Sequence, residues 1–173
     1  MSQNRLFFAI WPDTGTREKL GSVIKQVPAK VGRMIDQEKL HITLLYLGSV
    51  ASELTESLSE AAGQVTVKPF SLVIDRTGWW RQPKVLWLGS SVVPEGMLEL
   101  VNAINRIAAE FDLPTDARPY QPHVTFARKA RRPLRELDFV PIDWEVREFC
   151  LVQSVTHPNG AEYKILERWE LSD

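Results

Sequence analysis

A strand–helix–strand pattern occurs twice in this chain, and this repetition constrains the possible fold more than any other feature. In the first copy, the apolar run 6–11 is followed by a helical pattern and then by the strand 41–44. In the second copy, the run 85–88 is followed by a helical pattern and then by the strand 123–126. Two such units predict two lobes that face each other around a cleft. Because no flexible linker separates them, we expect one two-lobed domain over residues 1–173.

Hydrophobic periodicity predicts the helices and further strands of this domain. Amphipathic helices are predicted at about 14–27, after Ser52, and at about 96–112. Strands are predicted at 70–74 and 84–88, joined as a hairpin, and around 146–155 and 163–171. Helices and strands therefore alternate along the whole chain, which indicates a mixed α/β (α+β) fold.

Charge and cysteine content exclude several classes of protein. The 173 residues carry a net charge of −1, whereas a non-specific coat for long nucleic acid is normally basic. Any anionic ligand is therefore expected to be recognised locally. The single cysteine, Cys150, lies in an apolar run and is interpreted as a buried, inert thiol. Because neither a membrane-spanning run nor a signal-peptide pattern is present, we expect a cytoplasmic protein without membrane association.

The two repeated strands each carry the pattern His-x-Thr, with His41 and Thr43 in one and His123 and Thr125 in the other. Side chains at i and i+2 of a strand share a face and lie about 6.5–7 Å apart. An imidazole and a hydroxyl at this spacing suit a tetrahedral phosphate. Histidine gives and takes a proton near neutral pH, so two histidines can act as an acid–base pair across one phosphorus. The threonines are the predicted substrate-binding partners.

Other interpretations of the histidines are weaker. A single His-x-Thr is common and usually structural, but its repetition at equivalent places favours function. A zinc site lacks the expected spacing, because no His-x-x-x-His or cysteine cluster is present. His157 lies in a turn sequence and is interpreted as exposed.

The sequence resembles the two-histidine phosphoesterase superfamily, specifically the bacterial and archaeal RNA 2′,3′-cyclic phosphodiesterases, also called 2′-5′ RNA ligases. That family is marked by two His-x-Thr-x motifs, matched here by residues 41–44 and 123–126. The resemblance continues over most of the chain, through 5–10, 47–48, 85–89 and the arginine at 128. It implies two lobes of antiparallel sheet with outer helices around a central cleft. It also implies the opening of a 2′,3′-cyclic phosphate to a 2′-phosphate without metal or other cofactor.

The resemblance further implies roles for particular residues. His41 is the expected proton donor and His123 the expected proton acceptor, an order that the nearly symmetric motifs do not decide by themselves. Arg128 matches the arginine that follows the family's second motif. On an ideal strand it faces away from His123, so it reaches the phosphate only if the strand ends or bends near Ala127.

Aromatic and basic side chains are further candidates for RNA contact. Trp79, Trp80, Tyr120 and Phe8 could stack on a terminal base, and Phe8 is included among the predicted substrate-binding residues. Packing is the commoner role of such side chains. A basic run of Lys129, Arg131, Arg132 and Arg135 either attracts an RNA backbone or forms a solvated loop.

The sequence leaves competing functions open. The first is hydrolysis of cyclic phosphate on RNA ends or small cyclic nucleotides, with the reverse 2′-5′ ligation using the same groups. The alternative is a non-catalytic module that binds nucleotides or RNA ends, against which both intact motifs argue. No obligate protein partner is indicated, so we expect a monomer.

Overall fold

The computed structural model of the protein describes residues 2–28, 30–135 and 137–173. Its helices are α1 (Thr14–Ile24), α2 (Thr55–Ala62) and α3 (Glu95–Glu110). Its strands are β1 (Gln3–Ile10), β2 (Arg33–Met34), β3 (Ile42–Ala51), β4 (Phe70–Ile74), β5 (Arg76–Trp80), β6 (Val85–Gly89), β7 (His123–Arg128), β8 (Ile142–Val146), β9 (Glu148–His157) and β10 (Gly160–Glu170). The predicted mixture of helices with antiparallel strands is confirmed.

Most strands form one antiparallel sheet in the order β10-β9-β1-β3-β7-β6-β5, with the short β2 paired to β7. In both sequence repeats the two strands pair with each other, β1 with β3 and β6 with β7. The two halves meet between β3 and β7, where Ile42 and Val124 form the one pair in register among the described residues. The sheet therefore consists of two lobes that are joined at a narrow waist.

The helices cover one face of this sheet, and the main hydrophobic core lies between them. Helix α3 buries an apolar stripe that includes Met97, Leu100 and Ile104, as its periodicity predicts. The core contains side chains of both repeats and reaches from Leu6 to Leu171. The opposite face carries the cleft, with a smaller apolar cluster of Phe7, Ala9, Cys150 and Val152.

The predicted hairpin between 70–74 and 84–88 is wrong. Strand β4 pairs with β8 in a separate two-stranded sheet, and the hairpin joins β5 to β6. The sequence pattern predicts that the glycine and tryptophans of 78–80 form the connecting turn. Gly78 instead lies within β5, directly beneath the ring of Trp87, where a Cβ atom would collide with that ring. Close packing against an indole therefore explains a glycine inside a strand.

Cys150 is buried, and its thiol donates to the carbonyl oxygen of Ala9 over 3.4 Å. Burial raises the pKa of this thiol to about 12, so the group stays protonated at neutral pH and is a poor nucleophile. In the part of the chain that the structure describes, no helix is long and apolar enough to span a bilayer.

Candidate active site

The two His-x-Thr segments lie side by side at the waist of the sheet. The antiparallel pairing of Ile42 with Val124 places His41 across from Thr125, and Thr43 across from His123. Ile42 and Val124 are fully buried in the core, so the other four side chains project from the cleft face. All four line one cavity together with Arg128 and Tyr163. The result is a pseudo-twofold arrangement of two imidazoles and two hydroxyls.

Both imidazoles are held in the same way by the backbone. Nδ1 of His41 lies 2.7 Å from the carbonyl oxygen of Lys39, and Nδ1 of His123 lies 2.9 Å from that of Gln121. A carbonyl oxygen only accepts, so Nδ1 must carry a hydrogen in each ring. In the neutral form Nε2 is therefore the basic nitrogen on both rings. The Nε2 atom of His41 is 3.2 Å from Thr43 Oγ1, which donates to it when the ring is neutral.

Aromatic rings enclose His41 on the first lobe. Its imidazole stacks on Trp11, with ring centroids 4.7 Å apart and an interplanar angle of 8°. Phe7 and Tyr163 approach the same ring at centroid distances of 5.1 and 5.2 Å. These three aromatic neighbours restrict the orientation of His41 and exclude water from it.

The second histidine has a different aromatic neighbour. Trp80 meets the His123 ring in an edge-on contact, with centroids 4.4 Å apart, and Trp80 in turn packs against Trp87. The surroundings of the two imidazoles therefore differ although their motifs match. This difference is a physical basis for different roles within the nearly symmetric site.

Arg128 reaches the cavity because β7 is irregular. Leu86 pairs with Ala127 and Trp87 with Thr125, so Phe126 is an extra residue in β7 relative to β6. Phe126 and Ala127 are consecutively buried, and the alternation of faces is displaced by one residue. From the sequence, Arg128 is expected to reach the phosphate only if β7 ends or bends near Ala127. The β-bulge at Phe126 supplies this bend and places Arg128 on the cleft face.

The environment lowers the pKa of both histidines. Burial is the main cause in each, and the Arg128 guanidinium lowers both further by repelling the charged form. For His41 the pKa falls to about 4, with a further contribution from His123. At neutral pH both rings are therefore neutral in the free protein, and each presents an unprotonated Nε2 to the cavity.

We predict that an anion bound in the cavity raises the pKa values of His41 and His123. A bound phosphate places negative charge beside Arg128 and both rings, which favours the protonated imidazoles and raises their pKa values. Titration of the side-chain nitrogens by NMR should show His41 titrating near pH 4 in the free protein and at clearly higher pH with saturating inorganic phosphate. The exposed His157, which does not line the cavity, serves as the internal control for effects of phosphate in bulk solution. Unchanged titration of His41 and His123 would contradict phosphate binding between them.

The other aromatic candidates occupy different places. Phe8 is fully buried in the main core against Phe149 and Trp169, so its prediction as a substrate-binding residue is wrong. Phe7, its neighbour, faces the cleft instead. Tyr120 is also packed against the core, and its hydroxyl donates to the carbonyl oxygen of Thr43 over 2.8 Å.

Trp79 packs against the core and donates its Nε1–H to the carbonyl oxygen of Ala130 over 3.0 Å. Of the four aromatic side chains predicted to stack on a base, Trp80 is the one whose ring contacts a motif histidine, His123. His157 is exposed as expected and bonds to Glu162.

Across residues 2–28, 30–135 and 137–173, no group of three or more His, Cys, Asp or Glu side chains could hold a metal ion. The two motif histidines have hydroxyls and a guanidinium as neighbours rather than further ligands of that kind. Metal independence of the chemistry stays a prediction, to be tested by chelation.

A mixed α/β fold with two His-x-Thr strands at the waist of a bilobed sheet defines a class of phosphoesterases. The model of the 2′-5′ RNA ligase superfamily matches residues 17–158, and the chain belongs to that family. The RNA 2′,3′-cyclic phosphodiesterase of Escherichia coli is 33% identical over 174 residues, covering 97% of each chain. The enzyme of the same name from Archaeoglobus fulgidus is 32% identical over 178 residues, covering 96% of this chain and 99% of its own.

Similar solved structures support the same family assignment. A phosphoesterase crystal structure superposes with a TM-score of 0.88 at 32% identity, covering 99% of this chain and all of its own. The complex of E. coli LigT with 3′-AMP superposes with a TM-score of 0.86, also at 32% identity and with the same coverage. The fold and family predicted from the two motifs are thereby confirmed.

Proposed function

We propose that the protein hydrolyses 2′,3′-cyclic phosphodiesters on RNA ends or nucleotides to 2′-phosphomonoesters. The observation that carries this proposal is the pair of backbone-fixed imidazoles, each with Nε2 available, on the two sides of one cavity with Arg128. The near-full-length relatives named RNA 2′,3′-cyclic phosphodiesterases support it. The cavity supplies an acid, a base and donors for the phosphoryl oxygens, which is what displacement at phosphorus needs.

The proposed reaction uses each group once. Nε2 of neutral His123 takes a proton from water as the water oxygen bonds to phosphorus. The P–O3′ bond breaks, and Nε2–H of protonated His41 gives its proton to the departing 3′ oxygen. Arg128 and the hydroxyls of Thr43 and Thr125 donate to the non-bridging oxygens. The product carries a 2′-phosphate and a free 3′-hydroxyl. If a 5′-hydroxyl takes the place of water, the same proton transfers and the same P–O3′ cleavage give a 2′-5′ phosphodiester linkage.

The order of the two histidines follows the family resemblance. In the free protein, burial lowers the pKa of His41 to about 4, which disfavours the charged form that a proton donor requires. A bound anionic substrate favours the protonated imidazole and raises the pKa of His41. The proposed order therefore relies on the charge of the substrate to populate the proton donor.

Product analysis tests the function directly. Each 2′,3′-cyclic nucleotide is incubated with the protein in EDTA, and the products are separated from authentic 2′- and 3′-monophosphates. We expect the 2′-phosphate alone, at a rate unaffected by the chelator. Binding without turnover would instead identify a nucleotide-binding module, and loss of activity in EDTA with recovery in zinc would overturn the metal-free mechanism.

The two threonines should contribute to phosphate stabilisation rather than to proton transfer. Thr43→Val and Thr125→Val keep the shape of the side chain and remove its hydroxyl. Each should lower kcat/KM by up to about 10²–10³-fold, the range for one oxyanion donor. The shape of the pH profile should stay that of the unaltered protein. If both variants matched the unaltered protein in kcat/KM, the hydroxyls would have no role in binding phosphate.

We further propose that the protein acts as a single two-lobed domain over residues 1–173, as a monomer, in the cytoplasm. The contiguous core shared by both repeats supports one domain. One chain supplies both motif histidines, both threonines and Arg128 to the same cavity, so the proposed chemistry does not need a second copy. Light scattering of the purified protein tests the monomer, and limited proteolysis tests the domain.

A further inference from the structure

Three loops converge at one edge of the second lobe, beyond the end of β7. The tip of the β5–β6 hairpin contacts the segment after β7, where the Ala130 amide donates to the Lys84 carbonyl oxygen over 3.0 Å. The segment that leads into β2 packs on the same place, because a Cβ atom at Gly32 would collide with the Arg128 carbonyl oxygen. Arg33 then pairs with Arg128 in the sheet.

These loops carry exposed cationic side chains, which we name the basic rim: Arg33, Arg81, Lys84, Lys129, Arg131 and Arg132. Of these, Arg33 also donates from its guanidinium to the carbonyl oxygen of Asn159 in the β9–β10 turn. Among the described residues, the ion pairs within 4.0 Å involve none of these six side chains. The chain as a whole has a net charge of −1. The positive charge of the basic rim is therefore a local concentration that the surrounding described carboxylates do not neutralise by contact.

Two of the rim lysines occupy a backbone conformation that lysine rarely adopts. Lys84 has a φ of 66° and Lys129 a φ of 57°, in the left-handed region where glycine and asparagine are favoured. Glycine or asparagine at both positions would therefore make the folded state more stable. Lysine at these positions is explained if its charge binds a ligand and so compensates for the backbone strain.

The basic rim is continuous with the active-site cavity. Arg128 lines the cavity beside both motif histidines, Lys129 follows it directly, and β2 leads from Arg33 to Ile35, which also lines the cavity. A polyanion whose end lies between the histidines can therefore extend over the rim. On the helix-covered face, the main core of the described residues fills the side of the sheet opposite the cavity.

We propose that the basic rim binds the phosphodiester backbone of single-stranded RNA just upstream of the cyclic end. This inference rests on the proposed function and deepens it, because it makes an oligonucleotide, rather than a free cyclic nucleotide, the preferred substrate. The contacts are charge contacts to phosphate, so they add affinity without requiring a particular base sequence.

The test uses the double variant K84N/K129N. Its binding to a decaribonucleotide ending in a 2′-phosphate is measured by fluorescence anisotropy at several salt concentrations. Each phosphate contact to a single strand contributes about 0.7 to the salt slope, so the slope should fall by about 1.4 and Kd near physiological salt should rise about tenfold. Because asparagine suits the left-handed backbone, Tm should be at least that of the unaltered protein.

The matched control is K19Q/K68Q, which removes the same charge from two exposed lysines away from the rim. It should bind the decaribonucleotide as the unaltered protein does. For both double variants, kcat/KM on 2′,3′-cyclic AMP should remain within about twofold of the unaltered value, since a mononucleotide does not reach the rim.

Several outcomes would overturn the inference. Equal salt slopes for the two double variants would show that the rim lysines make no phosphate contact. A clear drop in Tm of K84N/K129N would give both lysines a structural role instead. Binding to phosphatidylserine vesicles that only K84N/K129N loses would assign the rim to a membrane rather than to RNA. Failure of the unaltered protein to hydrolyse both 2′,3′-cyclic AMP and the decaribonucleotide with a 2′,3′-cyclic end would instead contradict the proposed function, whether or not the rim binds the oligonucleotide.

Discussion

Replacing either motif histidine by alanine should lower kcat by about 10²–10⁴-fold on a 2′,3′-cyclic nucleotide, the usual contribution of one general acid or base. Both His41 and His123 have Nδ1 fixed on a carbonyl oxygen and Nε2 available in the cavity, so each loss removes one proton transfer. Steady-state rates of His41→Ala and His123→Ala in EDTA provide the measurement. A control variant, His157→Ala, removes the exposed histidine and should retain full activity.

A substrate with a very good leaving group separates the two roles. Such a leaving group departs without a proton, so His41→Ala should regain much of its rate if His41 is the acid. His123→Ala should stay slow, because water still needs a base. The opposite pattern would exchange the roles, and rescue of neither variant would mean that substrate binding had been damaged.

Arg128→Met should lower kcat/KM by about 10²–10³-fold, as expected when a donor to the developing charge of a transition state is lost. The same substitution should raise the pKa of both His41 and His123, because the guanidinium now lowers them. Kinetics and NMR titration of the variant measure the two effects. Unchanged kcat/KM would contradict a role of Arg128 in phosphate stabilisation, and unchanged pKa values of both rings would contradict the position of its guanidinium beside them.

Arg128→Lys is the matched control for this prediction. Lysine keeps the positive charge but lacks the planar fork that binds two oxygens at once. The low imidazole pKa values should therefore persist while kcat/KM still falls. Recovery of full activity with lysine would show that charge alone, and not bidentate geometry, is needed at this position.

The repetition of His-x-Thr was sufficient to predict the family, the bilobed sheet and the four central side chains of the site. Those features depend on strict alternation over three or four residues, which a short strand preserves. The assignment of Phe8 failed for a different reason. Both faces of β1 are apolar, so its sequence does not show which face lines the cleft. In the structure Leu6, Phe8 and Ile10 belong to the main core, and Phe7 belongs to the cluster on the cleft face.

Long-range packing accounts for the other differences. The hairpin partner of β6 could not be read from 76–80, because Gly78 is explained only by the Trp87 ring packed over it. The approach of Arg128 depends on a bulge in β7 opposite β6, and the stacking of Trp11 on His41 depends on the pairing of β1 with β3. Each of these features requires a neighbour that is remote in sequence.

The narrow waist between the lobes has a mechanical consequence. Ile42 and Val124 form the junction, and both motif histidines are one residue from it, so their backbones lie next to any axis about which the lobes would rotate. A rotation displaces atoms in proportion to their distance from the axis. Any opening of the lobes about this junction would therefore displace the outer strands more than the backbones of the two histidines. Such a motion would widen the mouth of the cleft and change the alignment of the catalytic pair least.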